Sequence, residues 1–166
     1  IMGTGGVGGY YGALLAKTGQ EVTFIARGEH LQAIREKGMK VKSVYGDFTV
    51  SPAKATDTPA EVGPVDMVLF ATKTYQTDEA AQLIKPMVGL NTVVVPLQNG
   101  IDAADRIGRV VGMEHMLGGV TWLSAAIEAP GLIGQYSQFR RIALGECNSQ
   151  TTPRLKAAFD ALQATG

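Results

Sequence analysis

The chain begins with IMGTGGVGGYYG, a stretch in which six of twelve residues are glycine. Glycine adopts backbone conformations that other residues avoid, so such a stretch permits a tight turn or a close approach of the backbone to a ligand. Gly3, Gly5 and Gly8 match the spacing G-x-G-x-x-G, which is weak evidence on its own. The residues that follow therefore decide what the stretch does.

A helix and a strand are predicted directly after the glycines. Residues 9–19 carry apolar or small side chains at helical spacing and end at Gly19, a common helix stop. Residues 21–27, with the sequence EVTFIAR, are β-branched and aromatic, which is typical of a strand. A strand, a glycine turn, a helix and a second strand form the unit that binds a dinucleotide. We therefore favour a dinucleotide-binding turn over a glycine turn without a ligand.

The three glycines of such a unit have separate roles. The first permits the tight turn, the second lets the backbone approach a pyrophosphate, and the third lets helix and strand pack closely. The helix that follows directs its free N–H groups and positive end at the pyrophosphate. A Walker-type loop is excluded because no Gly-Lys-Ser/Thr sequence follows. The predicted cofactor-binding residues of the turn are Gly3, Thr4, Gly5, Gly6, Val7 and Gly8.

The rest of the chain alternates helical and strand-like segments. Helices are predicted for residues 28–38, 76–88, 101–112 and 151–166, strands for 66–73 and 91–100, and a hairpin for 39–50. This alternation predicts an α/β protein of the Rossmann type, doubly wound, with a mainly parallel sheet covered by helices on both faces. Residues 115–146 contain two or three strand-like runs and no helix, which predicts an antiparallel extension of the sheet near its C-terminal end.

Composition narrows the set of partners. Fifteen basic and fifteen acidic residues give a net charge of zero without a long run of either sign, so nucleic acid and anionic membranes are not expected partners. Cys147 is the only cysteine, and no Cys/His spacing resembles a metal site. No apolar run approaches the roughly 18 residues of a membrane span. We expect a cytoplasmic protein without a metal.

Both ends of the chain look incomplete for a domain of this type. Only Ile1 and Met2 precede the glycines, where a first strand of about five residues is expected. The predicted helix over residues 151–166 stops at Gly166 with nothing after it. We therefore expect a first strand truncated at its N-terminus and a continuation beyond the last helix.

A second diagnostic position lies at the end of the second strand, where an acidic residue binds the ribose 2′-hydroxyl of NAD. This chain has Arg27 there. The planar guanidinium cannot accept a hydrogen bond from a hydroxyl but matches a 2′-phosphate, and Gly28 leaves room for that group. Arg27 thus favours NADP over NAD, while Glu29 remains a candidate hydroxyl acceptor.

Polar residues also follow two later strands. Thr72 and Lys73 come after one, and Gln98, Asn99 and Gly100 after the next. Ligands of open α/β sheets bind beyond the carboxyl ends of the strands, which makes these residues candidates. Lys73 could place a positive charge near a nicotinamide or an anionic substrate, and the Asn99 amide could hydrogen-bond to either. Taken singly, each is more often an ordinary loop residue, and it is their shared placement that makes a functional role as plausible as a structural one.

Four separated stretches agree with one protein family. Residues 3–41, 66–76, 97–101 and 118–125 resemble, in that order, the N-terminal domain of ketopantoate reductases (2-dehydropantoate 2-reductases). The resemblance implies that residues 1–166 form an NADP-binding Rossmann domain. It further implies NADPH-dependent reduction of 2-dehydropantoate, a small keto acid, to (R)-pantoate in pantothenate and coenzyme A biosynthesis.

The resemblance also implies roles for particular residues. The glycine turn resembles the family's pyrophosphate turn, Arg27 its 2′-phosphate ligand, and Thr72 a further cofactor contact. Lys73 resembles the lysine near the nicotinamide and Asn99 the asparagine that contacts cofactor and substrate, so these two are the candidate catalytic residues. The family's helical C-terminal domain, which supplies the proton-donating lysine, is absent from residues 1–166. The chain alone is therefore expected to bind NADPH but to be inactive or nearly so, and a homodimer is an option for the full-length protein.

Two other functions stay open from the sequence. A stand-alone NADP-binding module could sense or regulate without chemistry, and a reductase of the same class could act on another 2-keto or 3-hydroxy acid. A reading frame that continues into a helical domain would exclude the first, and nothing within the chain excludes the second.

Overall fold

The structure is a computed structural model that describes residues 1–166. Its strands are β1 (Thr23–Ile25), β2 (Met39–Ser43), β3 (Phe48–Val50), β4 (Lys54–Thr56), β5 (Val65–Phe70), β6 (Val88–Pro96), β7 (Leu117–Trp122), β8 (Ala125–Ala129), β9 (Leu132–Gln135) and β10 (Arg141–Glu146). Its α-helices are α1 (Gly6–Lys17), α2 (Gly28–Lys37), α3 (Thr77–Leu83), α4 (Ala103–Val111) and α5 (Pro153–Gln163). None of the helices has both the length and the apolar character that crossing a bilayer requires.

The central sheet is parallel and has the first residues of the chain at its middle. Met2 forms parallel bridges to Ile25 of β1 and to Phe70 of β5. β4 pairs in parallel with β1 on one side, and β6 with β5 on the other. Val94 of β6 bridges to Met116, which leads into β7. The resulting order β4-β1-Met2-β5-β6-β7 is doubly wound about the chain start, so the predicted Rossmann-type α/β fold class is confirmed.

The predicted antiparallel extension of this sheet is the pair β7 and β10. The two strands run side by side from Leu117 opposite Glu146 to Trp122 opposite Arg141. The hairpin between them, β8 and β9, leaves the central sheet and joins the predicted hairpin β2–β3 in a second sheet of order β3-β2-β9-β8. The four late strands therefore belong to two sheets, whereas the sequence predicted that they all extend the central sheet.

The second sheet packs against α1. Met39 and Val41 of β2 and Ile133 of β9 are buried and belong to the same apolar cluster as Tyr10 of α1 and Val95 of the central sheet. On the opposite face of the central sheet, a separate cluster buries α3 and α4. Since both faces of the inner strands β1, β5 and β6 are covered, those three strands are rich in apolar residues.

Three elements differ from the prediction. The helix predicted over residues 76–88 is shortened to α3, and Pro86 lies in the separate 3-10 turn Lys85–Met87 because proline has no N–H to continue a helix. β6 begins at Val88, earlier than the predicted residue 91. β4 carries no apolar run that would predict a strand, and its backbone pairs with β1.

Candidate functional site

The three glycines of the predicted turn have different surroundings. Gly3 has a φ of +92°, and a Cβ there would lie 2.8 Å from the backbone nitrogen of Thr72, so this position requires glycine. A Cβ at Gly8 would overlap the carbonyl oxygen of Gly3, so the absence of a side chain lets α1 pack against the turn. A Cβ at Gly5 would have no atom within 4 Å. The second glycine of the motif thus borders open space, as the close approach of a pyrophosphate requires.

The N-terminus of α1 is left without a side-chain acceptor. The N-cap residue is Gly5, which has no side chain that could cap the helix, and the first turn of the helix contains no acidic residue. The N–H groups of this turn and the positive end of the helix dipole therefore have no side-chain partner. Such a helix start is suited to an anion such as a pyrophosphate.

The remaining residues of the turn contact the rest of the protein. A Cβ at Gly6 would overlap the carbonyl oxygen of Ala125, so β8 lies directly against the turn. The buried Thr4 hydroxyl donates to the carbonyl oxygen of Ile25 at 2.8 Å and ties the turn to β1. Val7 is half-buried against the larger apolar cluster. Because the side chains of Thr4 and Val7 are engaged within the protein, these residues offer a ligand their backbone.

A cavity of about 220 Å³ lies beside the turn, at the carboxyl ends of β1 and β5. Its polar lining comes from the turn and from the segments that follow β1 and β5: Gly3, Thr4, Arg27, His30, Thr72, Gln76 and Glu79. The rest of the lining is apolar: Met2, Ile25, Ala26, Ala80 and Ile127. A larger cavity of about 1100 Å³ lies beside α5, at the amino ends of the strands. Because open α/β sheets bind ligands at the carboxyl ends, the smaller cavity is the candidate site.

Arg27 reaches this cavity from the N-cap position of α2, after Ala26, which joins β1 to this helix. Its Nη2 lies 3.6 Å from Oε1 of Glu79, which belongs to the first turn of α3. Gly28 has open space at its Cβ position, which leaves room beside the guanidinium. Glu29, the acidic alternative from the sequence, does not line the cavity. The acidic partner of Arg27 is therefore Glu79, which sequence reasoning missed because α3 is remote from Arg27 in the chain.

His30 is a further candidate contact in this cavity. Its Nδ1 accepts a hydrogen bond from the backbone nitrogen of Gly131 at 3.0 Å, while its buried Nε2 has no hydrogen-bond partner. Burial lowers the pKa of the imidazole and favours the neutral ring, although the nearby Thr4 backbone opposes the shift. Because Nδ1 accepts a hydrogen bond from Gly131, the proton of the neutral ring is on Nε2. A buried donor without a partner fits a ligand that carries hydrogen-bond acceptors, as a nucleotide does.

Gln98 joins the loops that follow β5 and β6. Its Nε2 donates to the carbonyl and hydroxyl oxygens of Thr72, at 2.8 and 3.1 Å, and to the hydroxyl oxygen of Thr77, at 3.0 Å. These bonds fix Thr72 at the cavity. The sequence placed Gln98 at a strand end, but only the structure identifies its partners.

Lys73 and Asn99 lie outside the cavity. Both side chains are exposed, Lys73 just before the 3-10 turn Thr74–Gln76 and Asn99 just before Gly100, whose φ is +98°. Since β5 and β6 are parallel neighbours, the two residues follow strands that end at the same edge of the sheet. The structure therefore places Lys73 and Asn99 near this edge, but it does not bring them into the group around Arg27.

The chemistry of these groups fits a dinucleotide. Backbone N–H groups at a helix start, a guanidinium and a buried imidazole donor can hold phosphate and ribose oxygens. No group of three His, Cys, Asp or Glu side chains is placed to hold a metal ion.

Known proteins are similar to this chain in sequence and in fold. The family described as Ketopantoate reductase PanE/ApbA matches residues 1–149. A 2-dehydropantoate 2-reductase of Nostoc sp. is 32% identical over 171 residues, which cover 100% of this chain and 53% of that protein. The crystal structure of 2-dehydropantoate 2-reductase from Geobacter metallireducens has a TM-score of 0.94 at 36% identity, covering 100% of this chain and 55% of that one.

A third relative differs in its substrate. D-mandelate dehydrogenase, solved as a ternary structure with NADH and anilino(oxo)acetate, has a TM-score of 0.86 at 28% identity, covering 100% of this chain and 54% of that one. The chain spans about half the length of the curated relatives it matches. The family match extends over nearly the whole chain and confirms the resemblance found in the sequence. On this evidence the chain belongs to the ketopantoate reductase family of oxidoreductases.

Proposed function

We propose that residues 1–166 form the cofactor-binding domain of a reductase that uses NADPH to convert 2-dehydropantoate into (R)-pantoate. The observation that carries the proposal is the open space at Gly5, the N-cap of a helix start without a side-chain acceptor, on the same turn that borders the cavity of Arg27. Family membership and the names of two relatives support the reaction.

In this proposal the chain's own residues hold the cofactor. The backbone of residues 3–8 and the first turn of α1 bind the pyrophosphate, and the guanidinium of Arg27 binds the 2′-phosphate. Nε2 of His30 donates to a further oxygen of the nucleotide. Thr72, fixed by Gln98, completes the contact from the end of β5.

Two exposed residues at the same edge of the sheet would act on the substrate. When bound, the nicotinamide supplies a hydride to the keto carbon. Lys73 places a positive charge where negative charge develops on the keto oxygen, and the Asn99 amide orients the reacting groups. The resemblance assigns proton donation to a lysine outside residues 1–166. We therefore expect this chain to bind NADPH but to turn over 2-dehydropantoate poorly or not at all.

Substitution of Arg27 tests whether the chain prefers NADPH to NADH. Titration of the chain with NADPH and with NADH, followed by the fluorescence of the reduced nicotinamide, gives both Kd values. We expect tighter binding of NADPH. Arg27→Ala should weaken NADPH binding about tenfold or more and change NADH binding less than about twofold, because only NADPH carries the phosphate that the guanidinium pairs with.

Arg109→Ala is the matched control for this test. Arg109 is an exposed residue of α4 and does not line the cavity, so both Kd values should stay unchanged. Equal affinities of the unchanged chain for NADPH and NADH would contradict the assignment of Arg27. Failure to bind either nucleotide would contradict the cofactor proposal itself.

Reduction of a different 2-keto acid is the second candidate function. It is favoured by D-mandelate dehydrogenase, which shares this fold and was solved with anilino(oxo)acetate. The values of kcat/KM for 2-dehydropantoate and for aromatic 2-keto acids, measured with the protein encoded by the complete reading frame, distinguish the two. A higher value for an aromatic keto acid would replace the first candidate by the second.

A further inference from the structure

We propose that Glu79 is a second determinant of cofactor choice, which opposes Arg27 and lowers the chain's preference for a 2′-phosphorylated dinucleotide. The inference rests on the proposed function, because it takes the cavity beside the glycine turn as the place of the adenosine ribose. Its basis is the ion pair of 3.6 Å between Nη2 of Arg27 and Oε1 of Glu79, two residues of the cavity lining.

The two carboxylates in the first turn of α3 have different partners. Arg106 of α4 holds Asp78, donating from Nε and Nη2 to its two oxygens at 3.0 and 2.9 Å. Glu79 instead forms its ion pair with Arg27 and lines the cavity. The two neighbouring acidic residues therefore have different roles. Asp78 connects α3 to α4, and Glu79 places a negative charge at the cavity.

A carboxylate at this position affects the binding of NADPH and the binding of NADH differently. The 2′-phosphate of NADPH is an anion that Glu79 repels and that must displace Glu79 from Arg27. The corresponding 2′-hydroxyl of NADH is neutral and can donate a hydrogen bond to a carboxylate. Glu79 therefore disfavours NADPH without disfavouring NADH.

The pair with Arg27 is weak enough to exchange for a phosphate. The side chains of Arg27 and Glu79 are 61% and 68% exposed, and ion pairs at such exposed positions contribute little stability. Arg27 can therefore leave Glu79 for the phosphate at small cost. It follows that Glu79 reduces the preference set by Arg27 and does not reverse it.

Fluorescence titration of the chain with NADPH and NADH at low ionic strength tests this role. We expect Glu79→Gln to strengthen NADPH binding about threefold to tenfold and to leave NADH binding unchanged or weaker. The ratio of the Kd for NADH to the Kd for NADPH should therefore increase. Added salt should reduce the effect, because it screens exposed charges. Asp78→Asn is the matched control, since it removes the same charge one position away, where the carboxylate is bound by Arg106.

The outcomes separate this inference from the proposed function. If the unchanged chain binds NADPH but Glu79→Gln leaves the ratio of Kd values as it was, or lowers it, the role of Glu79 is wrong. An equal increase in Asp78→Asn also overturns it, because the effect then comes from net charge alone. If the unchanged chain binds neither nucleotide, the proposed function fails and the role of Glu79 fails with it. Circular dichroism of each variant establishes that the fold is intact.

Discussion

Gly5 and Gly8 belong to one motif, yet their surroundings predict opposite effects of the same substitution. Gly5 has a φ of −84° and a ψ of −162°, an extended conformation that alanine also adopts, and open space at its Cβ position. Gly8 lies inside α1 against the carbonyl oxygen of Gly3. The folded chain can therefore accept a methyl group at Gly5 but not at Gly8. A methyl group at Gly5 would interfere only with a ligand that occupies the same space.

Gly5→Ala tests whether the open space at the turn is a ligand site. We expect the free energy of unfolding to change by less than about 0.5 kcal/mol, since no contact is lost and no clash is created. NADPH binding should weaken about tenfold or more, because the methyl group occupies the space through which the pyrophosphate approaches the backbone. Urea unfolding and cofactor titration measure the two quantities separately.

Gly8→Ala is the contrasting variant of the same turn. The overlap with the Gly3 carbonyl should lower the free energy of unfolding by about 1–3 kcal/mol, as overpacking does. Urea unfolding of this variant beside Gly5→Ala shows whether the two positions differ. A Gly5→Ala chain that binds NADPH as tightly as the unchanged chain would contradict the pyrophosphate role of Gly5.

At the level of single residues, the sequence was informative where a role follows from local spacing. Gly3 and Arg27, which line the cavity, could be predicted as candidates because the turn and the end of the next strand lie at fixed distances along the chain. Glu79 and His30 could not. Glu79 reaches the cavity through the placement of α3, and the unpartnered Nε2 of His30 becomes visible only through its burial.

Among the elements, the loop between β5 and α3 is held from two sides. Gln98 binds Thr72 and Thr77 from the end of β6. Arg106 of α4 donates from Nη1 to the carbonyl oxygen of Thr74 at 3.2 Å and also holds Asp78. The loop that carries Lys73 therefore takes its conformation from β6 and α4, two elements that follow it in the chain.

Gln98→Leu tests the contribution of this anchor. The substitution removes the hydrogen bonds to Thr72 and Thr77 and leaves their oxygens without that donor, so the free energy of unfolding should fall by about 1–3 kcal/mol. NADPH binding should weaken as well, because Thr72 loses its fixed place at the cavity. Urea unfolding and cofactor titration provide both values.

Gln82→Leu is the control for this element. Gln82 is an exposed residue of α3, so its replacement should change neither quantity appreciably. Equal effects of the two substitutions would show that Gln98 does not anchor the loop.

The elements that the sequence predicted and those that it missed differ in the kind of pairing they need. The central strands could be predicted from their continuous apolar runs, which follow from burial on both faces. The assignment of β9 to the second sheet could not, because it depends on parallel pairing of Lys40 with Leu132, which are far apart in the chain. β4 could not be predicted either, since Lys54–Thr56 carries no apolar run and its partner β1 lies far away in the chain.

For the molecule as a whole, the end of the chain is attached to the sheet through one buried carboxylate. The Glu146 side chain, at the end of β10, is 3% exposed. Arg154 of α5 donates to it from Nε at 2.8 Å and from Nη2 at 2.6 Å, and Thr152, the N-cap of α5, also donates to it. The same helix buries Ala158 and Leu162 in the larger apolar cluster. Glu146 therefore couples the position of α5 to the central sheet.

This carboxylate should make the stability of the whole chain depend on pH. Hydrogen bonds from Arg154 hold the pKa of Glu146 below its ordinary value, against the opposing effect of burial. The unfolded chain has a pKa of about 4.3 at this residue, so the ion stabilises the fold above that pH and stops doing so as the pH falls through the lower folded value. Glu146→Gln removes this contribution at every pH.

We therefore expect Glu146→Gln to lower the free energy of unfolding by about 1–3 kcal/mol at pH 7, and the difference from the unchanged chain to shrink below about pH 4. Urea unfolding of both chains between pH 3 and pH 7 measures this difference directly, and Asp160→Asn, at an exposed position of α5, controls for a general loss of negative charge. A difference that stays constant down to pH 3 would mean that Glu146 does not bind Arg154 as an ion, and that α5 is held to the sheet by its apolar face alone.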